Sequence, residues 1–133
     1  MNVSAIYWCL IKRFPVRSLL ACDLPYYKLS ASTNIPHPFG ITIANDAEIG
    51  EDCRISPNVT VGVKSIKYHG KWKSVSGMSV KIGNRVFIGA GAVILGDIVI
   101  ADDCIIGAGS VVLQSFEKEG SIIAGNPAKV IGG

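Results

Sequence analysis

The sequence predicts an all-β chain wound as a parallel β-helix, and three observations predict it. From Ile43 to Phe116 an aliphatic residue followed by a small or polar one returns at every sixth position, with one interruption. Neither the 3.6-residue period of an α-helix nor the alternation of a half-buried strand produces that spacing, whereas hexads are the mark of a β-helix. Gly50, Asn58, Gly83, Gly89, Gly91, Gly107 and Gly109 fall near the places where such a coil would bend, and tight bends often need a positive φ. Finally, 49% of the residues are hydrophobic and only 17% charged, with a mean hydropathy of +0.40. A coil stacked on itself explains this, because its inward positions are buried along its whole length.

Taken in order, the elements start with an N-terminal arm, residues 1–28. Its stretch Ser4 to Ile11 is apolar and is followed by Lys12, Arg13 and Arg17. A signal peptide places its charges before the apolar run, and a bilayer span needs ~20 apolar residues. The reading is therefore a short helix or extended arm docked on the coil and broken near Pro15. Membrane-surface contact through Trp8 and the basic cluster is the alternative.

The β-helix domain spans residues 29–133. Hexads start at Leu29 and Ile35, and two extra residues, Ile41 and Thr42, then shift the phase by two. They continue at Ile43, Ile49, Ile55 and Val61, and resume at Ile82, Ile88, Ile94, Ile100, Ile106 and Val112. Three hexads make one triangular turn, so ~18 residues climb about 4.8 Å. Ile82 should stack on Ile100 and Ile88 on Ile106, over four to five turns. Between them, Val63 to Lys81 has no hexad phase and carries Lys64, Lys67, Lys71, Lys73 and Lys81 without an acid. A long loop in a regular solenoid reads either as a solvated flap or as an arm flanking an anionic ligand.

Composition excludes several classes. A net charge of +3 is mild, and no basic–aromatic nucleic-acid signature appears. Cys9, Cys22, Cys53 and Cys104 have no C-x-x-C spacing, which suggests neither disulfide nor metal and fits a reducing cytoplasm. Cys53 and Cys104 share the fifth hexad place with Ala47, Val59, Ala92 and Ser110 and read as small core fillers. So much aliphatic surface also points to an oligomer.

Three segments carry a resemblance: Cys22-Asp-Leu-Pro leading to Ile35-Pro-His-Pro-Phe-Gly-Ile-Thr-Ile; Ile88-Gly-Ala-Gly-Ala-Val-Ile-Leu-Gly-Asp with Ile106-Gly-Ala-Gly-Ser-Val-Val-Leu; and Ala124-Gly-Asn-Pro-Ala-Lys. Through them the chain resembles the hexapeptide-repeat acyltransferases, over about residues 22–133, and within these the serine O-acetyltransferases and their short relatives in polysaccharide gene clusters. The resemblance implies a left-handed winding; crossover rules alone would favour the right hand.

It also implies a site. His37 falls at the family's catalytic histidine, where a neutral imidazole of pKa near 6.5 can take a hydroxyl proton and return it to a departing thiolate. Asp23 matches the carboxylate that orients that imidazole, with a gap of one residue in the spacing, and Asp46 is its fallback. Acetyl-CoA is the implied co-substrate, no metal is implied, and the acceptor is a small hydroxyl compound. Gly62 would meet the thioester, Ala90 and Ala108 would line the pantetheine groove, and Lys129 with the loop lysines would meet phosphates. A homotrimer is implied, His37 of one subunit facing the coils of the next. Two positions depart from the serine enzymes, Pro36 for an Asp and Ser79 for a second His, although His69 could substitute. Both put serine itself in doubt, leaving a sugar hydroxyl as the alternative acceptor. The chain as read has neither the helical domain nor the C-terminal tail of the full-length enzymes, which suggests a stand-alone enzyme. A carbonic anhydrase of this coil would need three histidines and this chain has two; a non-catalytic scaffold would have no use for His37.

Overall fold

The computed structural model describes residues 21–25, 28–62, 65–68, 71–74 and 78–133, with side chains for all but 65–68 and 71–74. It is the expected left-handed parallel β-helix, built from short strands on three faces. The first face stacks β1 (Thr42–Ile43), β4 (Thr60–Gly62), β9 (Val93–Leu95) and β12 (Val111–Val112). The second stacks β2 (Glu48–Ile49), β7 (Val80–Ile82) and β10 (Ile98–Ile100). The third stacks β3 (Arg54–Ile55), β8 (Phe87–Ile88), β11 (Ile105–Ile106) and β13 (Ile122–Gly125), and β14 (Ala128–Gly132) folds back antiparallel on β13. Single bridges add a level: Asp23 to Thr42, Asn34 to Arg54 and Phe116 to Ile100.

The register reads the repeat back. Ile82 pairs with Ile100 and Ile88 with Ile106, eighteen residues apart. Asn34 to Arg54 is twenty, which is the two-residue phase slip. Ile55 pairs with Ile88, thirty-three apart, so fifteen residues are inserted in that turn. Both inward hexad positions are filled as expected. Ile55, Ile88, Ile94 and Ile106 are fully buried, and so are Cys53, Val59, Val86, Ala92, Cys104 and Ser110 in the fifth place. Burying each Ile removes about 1.5–3 kcal/mol worth of apolar surface from water. Cys53 and Cys104 are free thiols. Burial pushes the thiols of Cys53 and Cys104 up, and Cys53 donates to the Gly83 carbonyl at 3.1 Å.

Four features differ from the hexad reading. The excursion is no plain loop: β5 (Ser65–Tyr68) and β6 (Lys71–Ser74) form an antiparallel ribbon with Ser65 opposite Ser74 and Tyr68 opposite Lys71. The coil resumes at Val80, which is fully buried and pairs with Ile98; the hexad holding it starts with the polar Ser76, which hides it. Cys22 and Leu24 already join the core, so the coil begins inside the segment read as an arm. There the Asp23 N–H donates to the Ile41 carbonyl at 2.9 Å and the Ile43 N–H to the Asp23 carbonyl at 2.8 Å. Residues 1–20, with Trp8 and Cys9, lie outside the described residues. Among the described residues, no helix is long and apolar enough to cross a membrane.

The fourth difference is at the corners. One column of left-handed residues is Gly40, Asn58, Gly91 and Gly109, and another is Asp52, Arg85 and Asp103. Gly50, Gly83, Gly89 and Gly107 are not among the positive-φ residues. They answer to close approach instead: a Cβ on Gly50 would stand 2.6 Å from the Gly83 carbonyl oxygen.

Candidate functional site

His37 stands on the corner that leads from the third face into β1, in the sequence Pro36-His37-Pro38-Phe39-Gly40. Two prolines flank it, so positions 36 and 38 have no N–H and a fixed φ. The corner is held by its carbonyls. That of His37 accepts from the Phe39 N–H at 2.9 Å, and that of Phe39 accepts from the Asn58 N–H at 2.8 Å. The Pro38 carbonyl accepts from the Cys22 thiol at 3.0 Å. Gly40 closes the turn at φ +63°, where a side chain would also collide with Asn58 Oδ1. The imidazole is left exposed on a pinned main chain, and Phe39 beside it is 55% exposed.

Asp23, also exposed, lies on the segment paired with β1, at the same end of the coil. Asp46 follows β1 on the opposite corner, so the fallback lies across the strand from His37. Ala90 and Ala108 share His37's corner column. The Gly91 N–H donates to Pro57 at 3.0 Å and the Gly109 N–H to Ala90 at 2.8 Å, which stacks the three corners. At ~4.8 Å per level, Ala90 lies about 10 Å and Ala108 about 14 Å further along the axis than His37. Both alanines are exposed.

Gly62 sits one corner away, at the end of β4 where the chain leaves the coil, and its carbonyl accepts from the Gly96 N–H at 3.1 Å. Among the described residues, a Cβ there would touch only Leu95 Cδ2, at 3.5 Å, so none of them demands glycine. Lys129, exposed on β14 opposite Ala124, is at the far end of the coil. One chain thus gathers His37 and Asp23 at one end, strings Ala90 and Ala108 along the same edge, and keeps Lys129 apart. His69 falls outside the described residues, as does Lys64, and the side chains of Lys67, Lys71 and Lys73 are not described. Ser79 is half-buried, its N–H donating to Asp97 at 3.3 Å.

Two other features lie away from these residues. A groove of about 480 Å³ on the second face is lined by Glu48, Lys81, Asn84, Val99 and Asp102 among others; of the predicted site residues it includes only the loop lysine Lys81, which pairs with Glu48 at 3.5 Å. On the corner between the second and third faces, Arg85 pairs with Asp103 at 2.7 Å and Asp102 at 3.3 Å. Hydrogen bonds from Asn84 hold Asp102 below the usual carboxylate range, and Arg85 does the same for Asp103. Sequence reading missed Cys22 and Phe39 as parts of the His37 corner. Their signal was a place in the quoted segments, Cys22 next to Asp23 and Phe39 two residues after His37.

Residues 79–114 match the family model for the bacterial transferase hexapeptide (six repeats). Serine acetyltransferase of Helicobacter pylori is 39% identical over 107 residues, 80% of this chain and 58% of that protein. A serine acetyltransferase from Brucella abortus in complex with Coenzyme A superposes with a TM-score of 0.67 at 35% identity, over 84% of this chain and 40% of that one. That of Neisseria gonorrhoeae in complex with serine gives 0.62 at 33% identity, over 76% and 38%. The chain spans less than two thirds of the length of each of these relatives.

Proposed function

We propose, from the premise that this chain is a serine acetyltransferase-like hexapeptide-repeat protein, that it transfers an acetyl group from acetyl-CoA to the hydroxyl of a small acceptor. The observation that carries the proposal is the single edge on which an exposed His37, on a pinned corner, stands in line with the exposed Ala90 and Ala108. His37 accepts the acceptor's hydroxyl proton as the oxygen attacks the thioester carbonyl carbon. The tetrahedral intermediate collapses, the C–S bond breaks, and His37 returns the proton to the CoA thiolate. Asp23 orients the imidazole and balances its positive charge. No covalent acyl-enzyme is needed.

The small surface at Ala90, Ala108 and Gly62 lets a pantetheine arm approach main-chain groups, and Lys129 supplies a point charge for phosphate. In a homotrimer each His37 would serve a neighbour's coils, with that neighbour's Ala90, Ala108 and Lys129 spread along the same axial direction. Exposed Phe87, Ile105, Val130 and Ile131 on the third face support such an assembly. The free thiols of Cys53 and Cys104 fit a reducing cytoplasm.

The acceptor is serine or a compound of its size. A sugar hydroxyl is the second reading, favoured by the 55% exposed Phe39 ring beside His37, which offers an apolar face to a pyranose. Free-thiol release from acetyl-CoA, followed with L-serine and with a panel of sugars, identifies the acceptor. His37→Ala is expected to fold and to lose turnover; an active His37→Ala protein refutes the mechanism, and no turnover or CoA binding at all leaves a scaffold.

A further inference from the structure

We infer that Cys22 is a positioning residue for His37, its thiol serving as the strut between the segment that bears Asp23 and the corner that bears the imidazole. The inference rests on the acetyltransferase reading above. Cys22 is 7% exposed. Its Sγ donates to the Pro38 carbonyl at 3.0 Å and accepts from the Ile41 N–H at 3.4 Å. One side chain therefore grips the chain on both sides of the Phe39–Gly40 turn, one residue after His37 and one residue before β1.

The prolines give this grip its importance. In a regular level of the coil, each corner is fastened by N–H groups donated to the level beside it, as Gly91 and Gly109 do. Here the residue at that place in the column is Gly40, and the Asn58 N–H of the next level donates to the Phe39 carbonyl; Pro36 and Pro38, on either side of His37, have no N–H to add to this. The Pro38 carbonyl is fastened by a side chain instead, and that side chain belongs to the residue before Asp23. Asp23 is itself locked by main-chain bonds to Ile41 and Ile43. A shift of the Cys22 segment moves the carboxylate and the imidazole relative to one another, and general-base geometry tolerates little of that: a displacement near 1 Å can cost on the order of 10²-fold in rate.

A thiol suits the place. Its long C–S bond reaches across to Pro38 while the sulfur packs as a small apolar group in the first level of the core. Serine would donate the same bond from a shorter arm, whereas alanine and valine would donate none.

The test compares Cys22→Ser, Cys22→Ala and Cys22→Val in the full chain, reading thiol release from acetyl-CoA against pH alongside thermal unfolding. Cys22→Ala and Cys22→Val are expected to lose about 10- to 100-fold in kcat, with KM for acetyl-CoA unchanged and the acidic limb of the kcat profile displaced. Cys22→Ser is expected to recover most of the rate and the original limb. A Cys22→Ala protein with unchanged kcat and profile overturns the inference. So does a folded Cys22→Ser protein as impaired as Cys22→Ala, since the donor would then be irrelevant. Should Cys22→Ala and Cys22→Val fail to fold, the profile of Cys22→Ser alone decides, a displaced limb with lost kcat counting against the strut. Turnover that survives His37→Ala refutes the base itself and is a separate failure.

Discussion

Gly89 and Ala108 approach so closely that a Cβ on Gly89 would stand 2.5 Å from the Ala108 nitrogen and 2.9 Å from its Cα. Both obstacles are main chain, so neither can swing away. This contact sets the spacing of the two levels whose outer corners present Ala90 and Ala108. Gly89→Ala is expected to cost about 1–3 kcal/mol by overpacking, a fall of roughly 3–10 °C in a chain of this length. Thermal unfolding checks it, and an unchanged midpoint would mean the levels separate freely.

Gly62 should behave in the opposite way. Among the described residues its Cβ position meets only Leu95 Cδ2, at 3.5 Å, so Gly62→Ala is expected to unfold within about 0.5 kcal/mol of the parent, as neutral surface changes do. If acetyl-CoA passes this point, the same variant raises KM for acetyl-CoA or lowers kcat by an order of magnitude. Steady-state thiol release beside a melting curve separates the two effects.

The corner built on Arg85 predicts an acid response. Asp102 and Asp103 have folded pKa values below the usual carboxylate range. Their contribution to stability is therefore present above the unfolded value of about 3.9 and is lost as pH falls through the folded value. Arg85, pushed up by Asp103, stays charged throughout and adds no pH dependence in this range. Asp103→Asn should narrow the difference in melting temperature between about pH 5 and pH 3. The effect should be modest because the pair is exposed, and smaller still at high salt. Melting curves across that range test it.

Ser110 offers a stabilising change. It is fully buried in the fifth hexad place, and its Oγ has no hydrogen-bond partner among the described residues. Ala92 holds the equivalent place one level earlier, its strand neighbour Val93 pairing with Val111. Removing an unsatisfied buried hydroxyl should recover about 1 kcal/mol. Ser110→Ala is thus expected to melt a few degrees higher, and a lower midpoint would show that the hydroxyl is satisfied in solution.

Much of this architecture could be read because burial and sequence position stay in step along the coil. Ile82, Ile88, Ile94 and Ile100 recur every six residues because each lies in the strand of the next face, and Cys53 and Cys104 were legible as core by their place in the hexad alone. Val80 escaped because the aliphatic opening its hexad needed is Ser76. Asp52, Arg85 and Asp103 escaped as left-handed corners because their charged side chains give no hint of a positive φ; their place in the column imposes it.

What the sequence determined by itself was the winding: the period, the two-residue slip after His37, and which side of each strand faces inward. These follow from local chemistry repeated along the chain. Tertiary structure alone decided which distant residues meet. Cys22 and Pro38 are sixteen residues apart, a separation that is no multiple of the hexad, yet stacking one level on the next sets thiol against carbonyl. The same stacking lines Ala90 and Ala108 above His37 while carrying Lys129 to the far end. A period fixes a residue's face, but the number of levels between two residues depends on every insertion and slip that separates them.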